Sequence, residues 1–124
     1  MAPPDDLTRL RHIIESARKA VRFSSGRQMS DFEKDELLNL ALVQLLEIIG
    51  EAASGISEGM REKYPDVAWR EMSATRNRLI HAYFEINYDV VWNTVTQELP
   101  PLIIQLEKIL EKEEPQNRGR LSQD

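Results

Sequence analysis

The residues best suited to chemistry lie in one short stretch, RNRLIHAY, at residues 76–83. Arg76, Asn77, His81 and Tyr83 place a permanent positive charge, an amide, an imidazole and a phenol close together in the chain. A histidine can accept or donate a proton near neutral pH, and an arginine can stabilise charge that develops on a phosphoryl group. Histidine, arginine and a polar helper therefore suit cleavage of RNA by its own 2′-hydroxyl without a metal ion.

Other reaction classes have less support in this sequence. No cysteine is present, which excludes disulfides and thiolate metal sites, and HAYFE at 81–85 offers too few ligands for zinc. GEAASG at 50–55 falls inside a predicted helix and lacks the lysine of a phosphate-binding loop. We expect neither a metal nor a cofactor, and we interpret the second histidine, His12, as a residue without a catalytic role.

A purely structural interpretation of the 76–83 cluster is also open at this stage. A buried arginine can bond to the carbonyl groups of another helix, and an asparagine can pair with a histidine. A tyrosine in an apolar stripe usually belongs to the core. The residue types alone leave both interpretations standing.

Hydrophobic periodicity predicts an all-α bundle of four or five helices, and the family resemblance given below implies an up-and-down topology. Apolar residues recur in steps of three and four, and no alternating strand pattern appears. Ser30 and Glu33 have the spacing of a capping box. The expected helices cover residues 5–23, 30–54, 57–64 and 67–84, and a fifth follows a cap at Asn87, with apolar spacing that runs to Ile109. Because Pro100 and Pro101 fall inside the last helix, we expect a kink there.

The fourth predicted helix carries the cluster. Trp69, Met72, Leu79 and Tyr83 form an apolar stripe on it, and Arg76 occupies the vacant place in that stripe. A charged group in a buried stripe is unusual because desolvation is costly unless the charge is paired.

A regular helix does not direct the whole cluster to one point. Arg76 and His81 are five positions apart, which corresponds to about 140° around the helix, whereas Asn77 and His81 share a neighbouring face. A cleft between two such helices, or a distorted helix end, would be needed to bring Arg76 and His81 to one phosphate.

The second predicted helix has more apolar surface than one bundle contact requires. Between residues 37 and 49 only three residues are polar. The helix is therefore either central to the bundle or faces a second subunit. Gly50, Ala53 and Ser54 follow as a small-residue face where another helix could approach closely.

Composition and charge are those of an ordinary single domain. The 124 residues carry a net charge of −5, which argues against tight binding of nucleic acid by bulk electrostatics. A local basic patch is still possible, since residues 1–28 contain six Arg and Lys against three acids. We expect a helical domain at 1–114 and a disordered tail at 115–124. No signal peptide or membrane span is apparent, so we expect a cytoplasmic protein without a membrane partner.

The cluster and its flanks resemble the HEPN superfamily. RNRLIHAY matches its arginine–polar–three residues–histidine motif, in the arginine–x4–histidine–x–tyrosine form that marks the HepT-like toxin branch. LLEIIGEAAS at 45–54 is similar to the second-helix signature of that branch, and YPDVAW at 64–69 to the turn before its motif helix. The resemblance covers about residues 7–112 of the chain.

The resemblance implies a fold, an activity and partners. HepT-like proteins are helical bundles that pair as homodimers, with two motif helices along a shared cleft. They act as metal-independent endoribonucleases and as toxins of type II/VII-like toxin–antitoxin pairs. Their antitoxin, a minimal nucleotidyltransferase, can silence them by transferring AMP to the motif tyrosine, and the two can form larger even-numbered complexes. Carried over, Arg76 and His81 are the catalytic pair, Asn77 is the polar helper and Tyr83 is the AMPylation site.

Two other functions are compatible with the sequence. Some HEPN domains bind RNA, nucleotides or partners without cleavage, and the acidic net charge is compatible with such a non-catalytic binding subunit, which would partner a minimal nucleotidyltransferase. A purely structural helical protein is the second alternative, but it leaves Arg76 in the apolar stripe unexplained.

Overall fold

The fold is a bundle of helices with one very short hairpin. The computed structural model describes residues 5–81 and 85–122, with side chains for 5–80 and 85–114. The helices are α1 (Asp6–Ser24), α2 (Met29–Lys34), α3 (Glu36–Ser54), α4 (Glu58–Lys63), α5 (Trp69–Leu79), α6 (Tyr88–Asn93) and α7 (Leu99–Ser122). A π-helical turn (Thr94–Glu98) joins α6 to α7, and the strands β1 (Ile80–His81) and β2 (Glu85–Ile86) pair antiparallel. The predicted all-α class is confirmed.

Helices α1 and α3 form an antiparallel pair at the centre of the bundle. The Asp5 carboxylate accepts the Thr8 N–H at 2.8 Å and so begins α1, whose core face includes the fully buried Leu10. Just after α3 ends, the Ser57 N–H donates to the Asp6 carboxylate at 2.8 Å, which ties the end of α3 to the beginning of α1. Helix α7 packs on the other side of α1, and α5 packs on α3.

The second predicted helix, residues 30–54, is two helices. They meet at Asp35, whose backbone is extended and whose carboxylate accepts the Leu38 N–H at 3.1 Å. An aspartate that bonds to an N–H three residues on is a strong N-cap, so α3 starts afresh at this point. The prediction of one continuous helix is wrong.

Helix α2 also begins slightly earlier than predicted. The Asp31 carboxylate accepts the Gln28 N–H at 2.8 Å, so the cap lies at Gln28 and the predicted capping box of Ser30 and Glu33 is wrong by two residues. Phe32 is completely buried and packs against α6, which fixes this short helix on the bundle.

A π-helical turn lies where the sequence predicts a kink. The Leu99 N–H donates to the Thr94 carbonyl five residues back, and Pro100 and Pro101 follow at once in α7. Because prolines have no N–H to donate, an interruption of the regular ladder directly before them accommodates both. Val95 and Leu99 stay buried, so the apolar spacing of this segment is kept through the irregular turn.

Helix α7 is longer than the sequence suggests. Its backbone is helical through residue 122, whereas residues 115–124 are expected to be disordered. Glu113 pairs with Lys63, and Glu114 pairs with Arg11, just before the predicted tail. These contacts hold the helix against α4 and α1, and the helix continues from there into the polar segment. The domain boundary at residue 114 stays a prediction.

Helix α3 is long and apolar enough to cross a membrane by length and composition alone. Its most apolar 18-residue window has a mean hydropathy of 1.5, and 50% of that window is buried. The core helix of a soluble bundle meets the same criterion. Because α3 packs against both α1 and α5, its composition is explained by its place in the bundle.

Candidate active site

Residues 76–81 of the motif span the end of a helix and a short strand. Helix α5 ends at Leu79, whose side chain is completely buried and whose carbonyl accepts the Asn87 N–H at 2.8 Å. This bond closes the hairpin in which His81 lies opposite Glu85, and the chain therefore leaves the helix axis after Leu79. The prediction of one helix through residue 84 is wrong. The structure therefore contains a distorted helix end between Arg76 and His81, which is one of the two arrangements that the sequence permits.

Arg76 lies on α5 with its aliphatic stem against Gly50 of α3. A Cβ added to Gly50 would lie 2.8 Å from Arg76 Cγ, 3.3 Å from Arg76 Cδ and 3.3 Å from the Met72 carbonyl oxygen. Side-chain carbons do not pack this closely without displacement, so glycine at position 50 is what makes room for the arginine. The Arg76 residue is exposed, and within the described ranges its guanidinium forms no ion pair or hydrogen bond. The structure thus restrains the stem and leaves the charge available.

The buried stripe of α5 differs from the prediction at its centre. Trp69, Met72 and Leu79 are buried as predicted, but Thr75 rather than Arg76 completes the stripe. The Thr75 hydroxyl donates to a backbone carbonyl one turn earlier at 2.8 Å, so its burial leaves no unpaired polar atom. An arginine can place its stem on an apolar surface and keep its charged head in water. This geometry avoids the desolvation cost that a fully buried Arg76 would carry.

Gly50 is the site residue whose role the sequence does not reveal. The small-residue face predicted around it is confirmed, since α5 approaches α3 at Gly50. The available signal is a glycine inside a helix, which lowers helix propensity and therefore suggests a close approach. That an arginine stem fills the space becomes visible only when the two helices are packed.

The other motif residues are only partly described. Asn77 is exposed in the last turn of α5, and the His81 backbone lies in β1, so the two do not share a helical face as predicted. The His81 side chain and the whole of Tyr83 lie outside the described residues, and their roles stay predictions. His12 is exposed on α1.

The last turn of α5 is basic and open to solvent. Arg76, Asn77 and Arg78 are consecutive exposed residues. The carbonyl end of a helix favours cations, so the two arginines are well placed there, and an exposed guanidinium can bind a phosphate through paired hydrogen bonds. Among the described residues, no group of three or more His, Asp and Glu is arranged as ligands for a metal ion.

Two groups with perturbed pKa values lie away from the motif, between α4 and α7. The Tyr64 hydroxyl donates to Glu113 Oε1 at 2.9 Å, and Lys63 Nζ lies 2.7 Å from the same oxygen. The pKa of Tyr64 is raised to about 12, chiefly by burial and to a smaller extent by the hydrogen bond to Glu113. The hydrogen bond from Lys63 is the main reason that the pKa of Glu113 is lowered. Because these groups satisfy one another, we interpret the cluster as a structural link rather than as a second reactive site.

Comparison with known proteins assigns the same region to a family. The model of the family described as "Ribonuclease HepT-like" matches residues 13–109. A Caldanaerobacter subterraneus subsp. tengcongensis protein named as a "Putative RNase" is 40% identical over 104 residues, which cover 84% of this chain and 93% of that relative. A Thermococcus cleftensis protein named "Probable ribonuclease HepT" is 36% identical over 100 residues, covering 81% and 91%. No solved structure matches this chain.

Proposed function

Since this chain belongs to the ribonuclease HepT-like family, we propose that it is a metal-independent endoribonuclease and the toxin of a type II/VII-like toxin–antitoxin pair. The observation that carries the proposal is the exposed Arg76, whose stem rests on Gly50 at the helix end that precedes His81. A cation restrained in this way can bind an RNA phosphate without first losing much side-chain freedom.

The proposed reaction begins when His81 takes the proton of a 2′-hydroxyl. The freed oxygen attacks the neighbouring phosphorus, the bond to the 5′-oxygen breaks, and that oxygen takes up a proton. The products are a 2′,3′-cyclic phosphate and a 5′-hydroxyl. Arg76 stabilises the additional negative charge on the phosphoryl oxygens in the transition state, and Asn77 supplies a further polar contact.

The proposed active form is a homodimer that pairs through the exposed face of α3. Leu37, Leu40 and Ile48 are 83%, 53% and 36% exposed, and their positions fall within about 80° of one another around the helix. Large exposed apolar side chains on one face of a helix are typical of an interaction surface, and here the exposed polar Gln44 lies between Leu40 and Ile48 on that face. A two-fold pairing would bring two motifs to one cleft, so one His81 could act as the base and the other as the acid.

The proposed partner is a minimal nucleotidyltransferase antitoxin that transfers AMP to Tyr83. The added phosphate would place negative charge close to the arginine that binds substrate phosphate, and inhibition would follow from repulsion and blockage. Toxin dimers would then assemble with the antitoxin in even-numbered complexes. Both proteins would act in the cytoplasm, where their RNA substrates are.

The test is RNA cleavage in EDTA by the wild type beside His81→Ala and Arg76→Ala, with the new ends identified. We expect the wild type to leave 2′,3′-cyclic phosphates and each variant to lose at least about a hundredfold in rate. The matched controls are His12→Ala and Arg70→Ala, which remove an exposed histidine on α1 and an exposed arginine on α5 and should cleave at the wild-type rate.

Two further measurements make the result interpretable. Circular dichroism must show that each variant is folded, and a mass spectrum must show that Tyr83 carries no AMP, since modification would silence the wild type. Cleavage by folded His81→Ala at the wild-type rate would contradict the proposed mechanism.

The second candidate function is a non-catalytic subunit that presents a ligand to a nucleotidyltransferase. The net charge of −5 favours it, because an acidic protein attracts RNA poorly over long distances. This candidate predicts that unmodified wild type does not cut RNA. It also predicts that Arg76→Ala weakens the complex with the nucleotidyltransferase, whereas Arg70→Ala does not, which titration calorimetry would measure.

A further inference from the structure

An open groove of about 690 Å³ lies between the last turn of α5 and the segment where α6 passes into the π-helical turn. Arg78 of the motif lines it from α5, and Trp92 and Gln97 line it from the facing segment. The volume falls within the range of about 300–1,000 Å³ that is usual for small-molecule sites. The groove is therefore large enough for one nucleotide.

Trp92 gives the groove an aromatic side chain whose position is fixed by the core. Its ring stacks on the ring of Phe32, with 5.3 Å between the centroids and 24° between the planes, and Phe32 is completely buried. Trp92 itself is only partly buried and lines the groove. Because Phe32 covers one face of the indole on the core side, the surface that Trp92 presents to the groove is directed away from the core. A ring held in this way can stack on a base at little cost in side-chain freedom.

The two tryptophans differ in the use of their indole N–H. Trp69 Nε1 donates to the Tyr64 carbonyl at 2.9 Å, as a buried tryptophan usually does. Trp92 Nε1 donates to no described residue. Among the described residues, buried side-chain polar atoms without a partner occur at Arg61 and Thr94 and not at Trp92. The Trp92 N–H is therefore open to the groove or to solvent and can donate to a ligand.

Charge favours an anionic ligand on this side of Arg78. The Arg78 residue is exposed, and its guanidinium forms no ion pair with any described residue. On its other side Arg78 borders a smaller cleft whose lining includes Glu71 and Glu98, and these carboxylates repel phosphate. The groove at Trp92 has a single carboxylate among the described residues, that of Asp89 in the first turn of α6. A phosphate that pairs with Arg78 is therefore better placed on the Trp92 side.

We propose that this groove binds a nucleotide of the RNA substrate that flanks the site of cleavage. The base stacks on Trp92, and a phosphate of the same nucleotide pairs with Arg78. An aromatic side chain beside a cation is a common means of holding single-stranded RNA, whose unstacked bases are accessible. The proposal rests on the proposed ribonuclease function, and it makes unpaired RNA the substrate class.

The position of the groove indicates which nucleotide it holds. Arg78 and Arg76 both belong to the last turn of α5, and a separation of two positions places them about 200° apart around the helix. Because a helix with its side chains is about 10 Å wide, arginines on opposite sides of α5 bind different phosphates. A strand that crosses the end of α5 contacts both, so the nucleotide in the groove is a neighbour of the one that is cut.

The direct test is an NMR titration of the wild type, isotope-labelled at its indole nitrogens, with a short single strand of 2′-O-methyl RNA. This RNA can bind but cannot be cut, because no 2′-hydroxyl is free to attack. We expect the Trp92 N–H resonance to shift on binding, whereas the Trp69 resonance, whose N–H is bonded to the Tyr64 carbonyl, should not respond. An abasic sugar–phosphate strand of the same length should bind at least about tenfold more weakly, since it offers no base to stack.

Variants of Trp92 test the stacking contact. Trp92→Leu removes the aromatic ring and should weaken binding of the 2′-O-methyl RNA about tenfold. Trp92→Phe keeps a ring that can stack and should bind within about threefold of the wild type. Because Trp92 packs on Phe32, circular dichroism must show that both variants are folded.

Arg78→Gln tests the phosphate contact without disturbing the core, because Arg78 is exposed. It should weaken binding about fivefold and reduce the slope of log affinity against log salt by about 0.7, the value for one phosphate contact on a single strand. In cleavage of unmodified RNA it should raise KM and leave kcat nearly unchanged, since the contact holds a nucleotide away from the reacting bond. Arg70→Gln, at an exposed arginine of α5 outside the groove, is the control and should alter none of these quantities.

The outcomes separate this proposal from the proposed function. Absence of RNA binding, a Trp92 resonance that does not shift, equal affinity for the abasic strand, or unchanged affinity and salt dependence in Arg78→Gln would each overturn the nucleotide groove, even if the wild type cuts RNA. Binding at Trp92 by a wild type that does not cut unmodified RNA would support the groove and contradict the ribonuclease mechanism.

Discussion

The stem of Arg76 rests on Gly50, and the two residues contact each other across the α3–α5 interface at a distance that excludes a Cβ. The motif arginine is therefore positioned by a helix 26 residues earlier in the chain as well as by its own. We expect Gly50→Ala to displace the Arg76 guanidinium and to lower RNA cleavage by about a hundredfold, since small misplacements of catalytic groups have effects of that size.

A double-mutant cycle distinguishes this positioning role from a loss of folding. Gly50→Ala overpacks the α3–α5 interface and should lower the free energy of unfolding by about 1–3 kcal/mol, which chemical denaturation measures. In the Arg76→Ala background, Gly50→Ala should have almost no further effect on cleavage, because both changes act through one side chain. Gly59→Ala is the control, since a Cβ there would meet nothing closer than 3.9 Å. If Gly50→Ala lowers the rate of cleavage by the same factor in the wild type and in Arg76→Ala, Gly50 does not act by positioning Arg76.

If the dimer pairs through α3, a charge on the exposed face of this helix should weaken the dimer. Leu40→Glu places a charge on the exposed face of α3 and should weaken dimerisation at least about tenfold, which sedimentation measures directly. Ile104→Glu is the control, because Ile104 is similarly exposed at 58% but lies on α7. If Leu40→Glu sediments as the wild type does, the interface lies on another surface.

Modification by the proposed antitoxin should depend on one hydroxyl group. Incubation with the nucleotidyltransferase and ATP should add one AMP to the wild type and stop RNA cleavage, whereas Tyr83→Phe should gain no mass and stay active. Tyr88→Phe is the control and should be modified and silenced like the wild type. AMP on Tyr83→Phe would place the modification on another residue.

The link between α4 and α7 should give stability a dependence on pH at both extremes. The pKa of Glu113 is lowered, so its contribution to stability is present above the ordinary value of 4.5 and is lost as the pH falls through the lowered pKa. The pKa of Tyr64 is raised from 10.0 to about 12, so its contribution is present below pH 10 and is lost between pH 10 and about 12.

Thermal unfolding of Tyr64→Phe across this range checks the signs. The variant should lose about 1 kcal/mol near neutral pH, because the hydrogen bond to Glu113 is removed, and its alkaline decline should be shallower than that of the wild type. An alkaline decline as steep as that of the wild type would show that Tyr64 is not the group responsible.

The sequence by itself determined the helical class and most of the core. Steps of three and four place Leu10, Leu46 and Leu106 in the core, because burial of apolar faces dominates the stability of such helices. The helix cap at Asn87 also depends only on nearby residues, because the Asn87 side chain accepts the N–H of Val90, three residues later. Features of this kind depend on a few neighbouring residues, and those neighbours are visible in the sequence.

Only the tertiary structure decided how the motif is presented. The helix ends at Leu79 because that residue is buried and its carbonyl bonds to Asn87 beyond the hairpin, a contact that periodicity does not report. Arg76 is exposed rather than buried because its stem finds space over Gly50 on another helix. The helix end at Leu79 and the exposure of Arg76 both depend on residues distant in the chain. A local helical pattern competes with such contacts, and the packing of the elements decides which of them prevails.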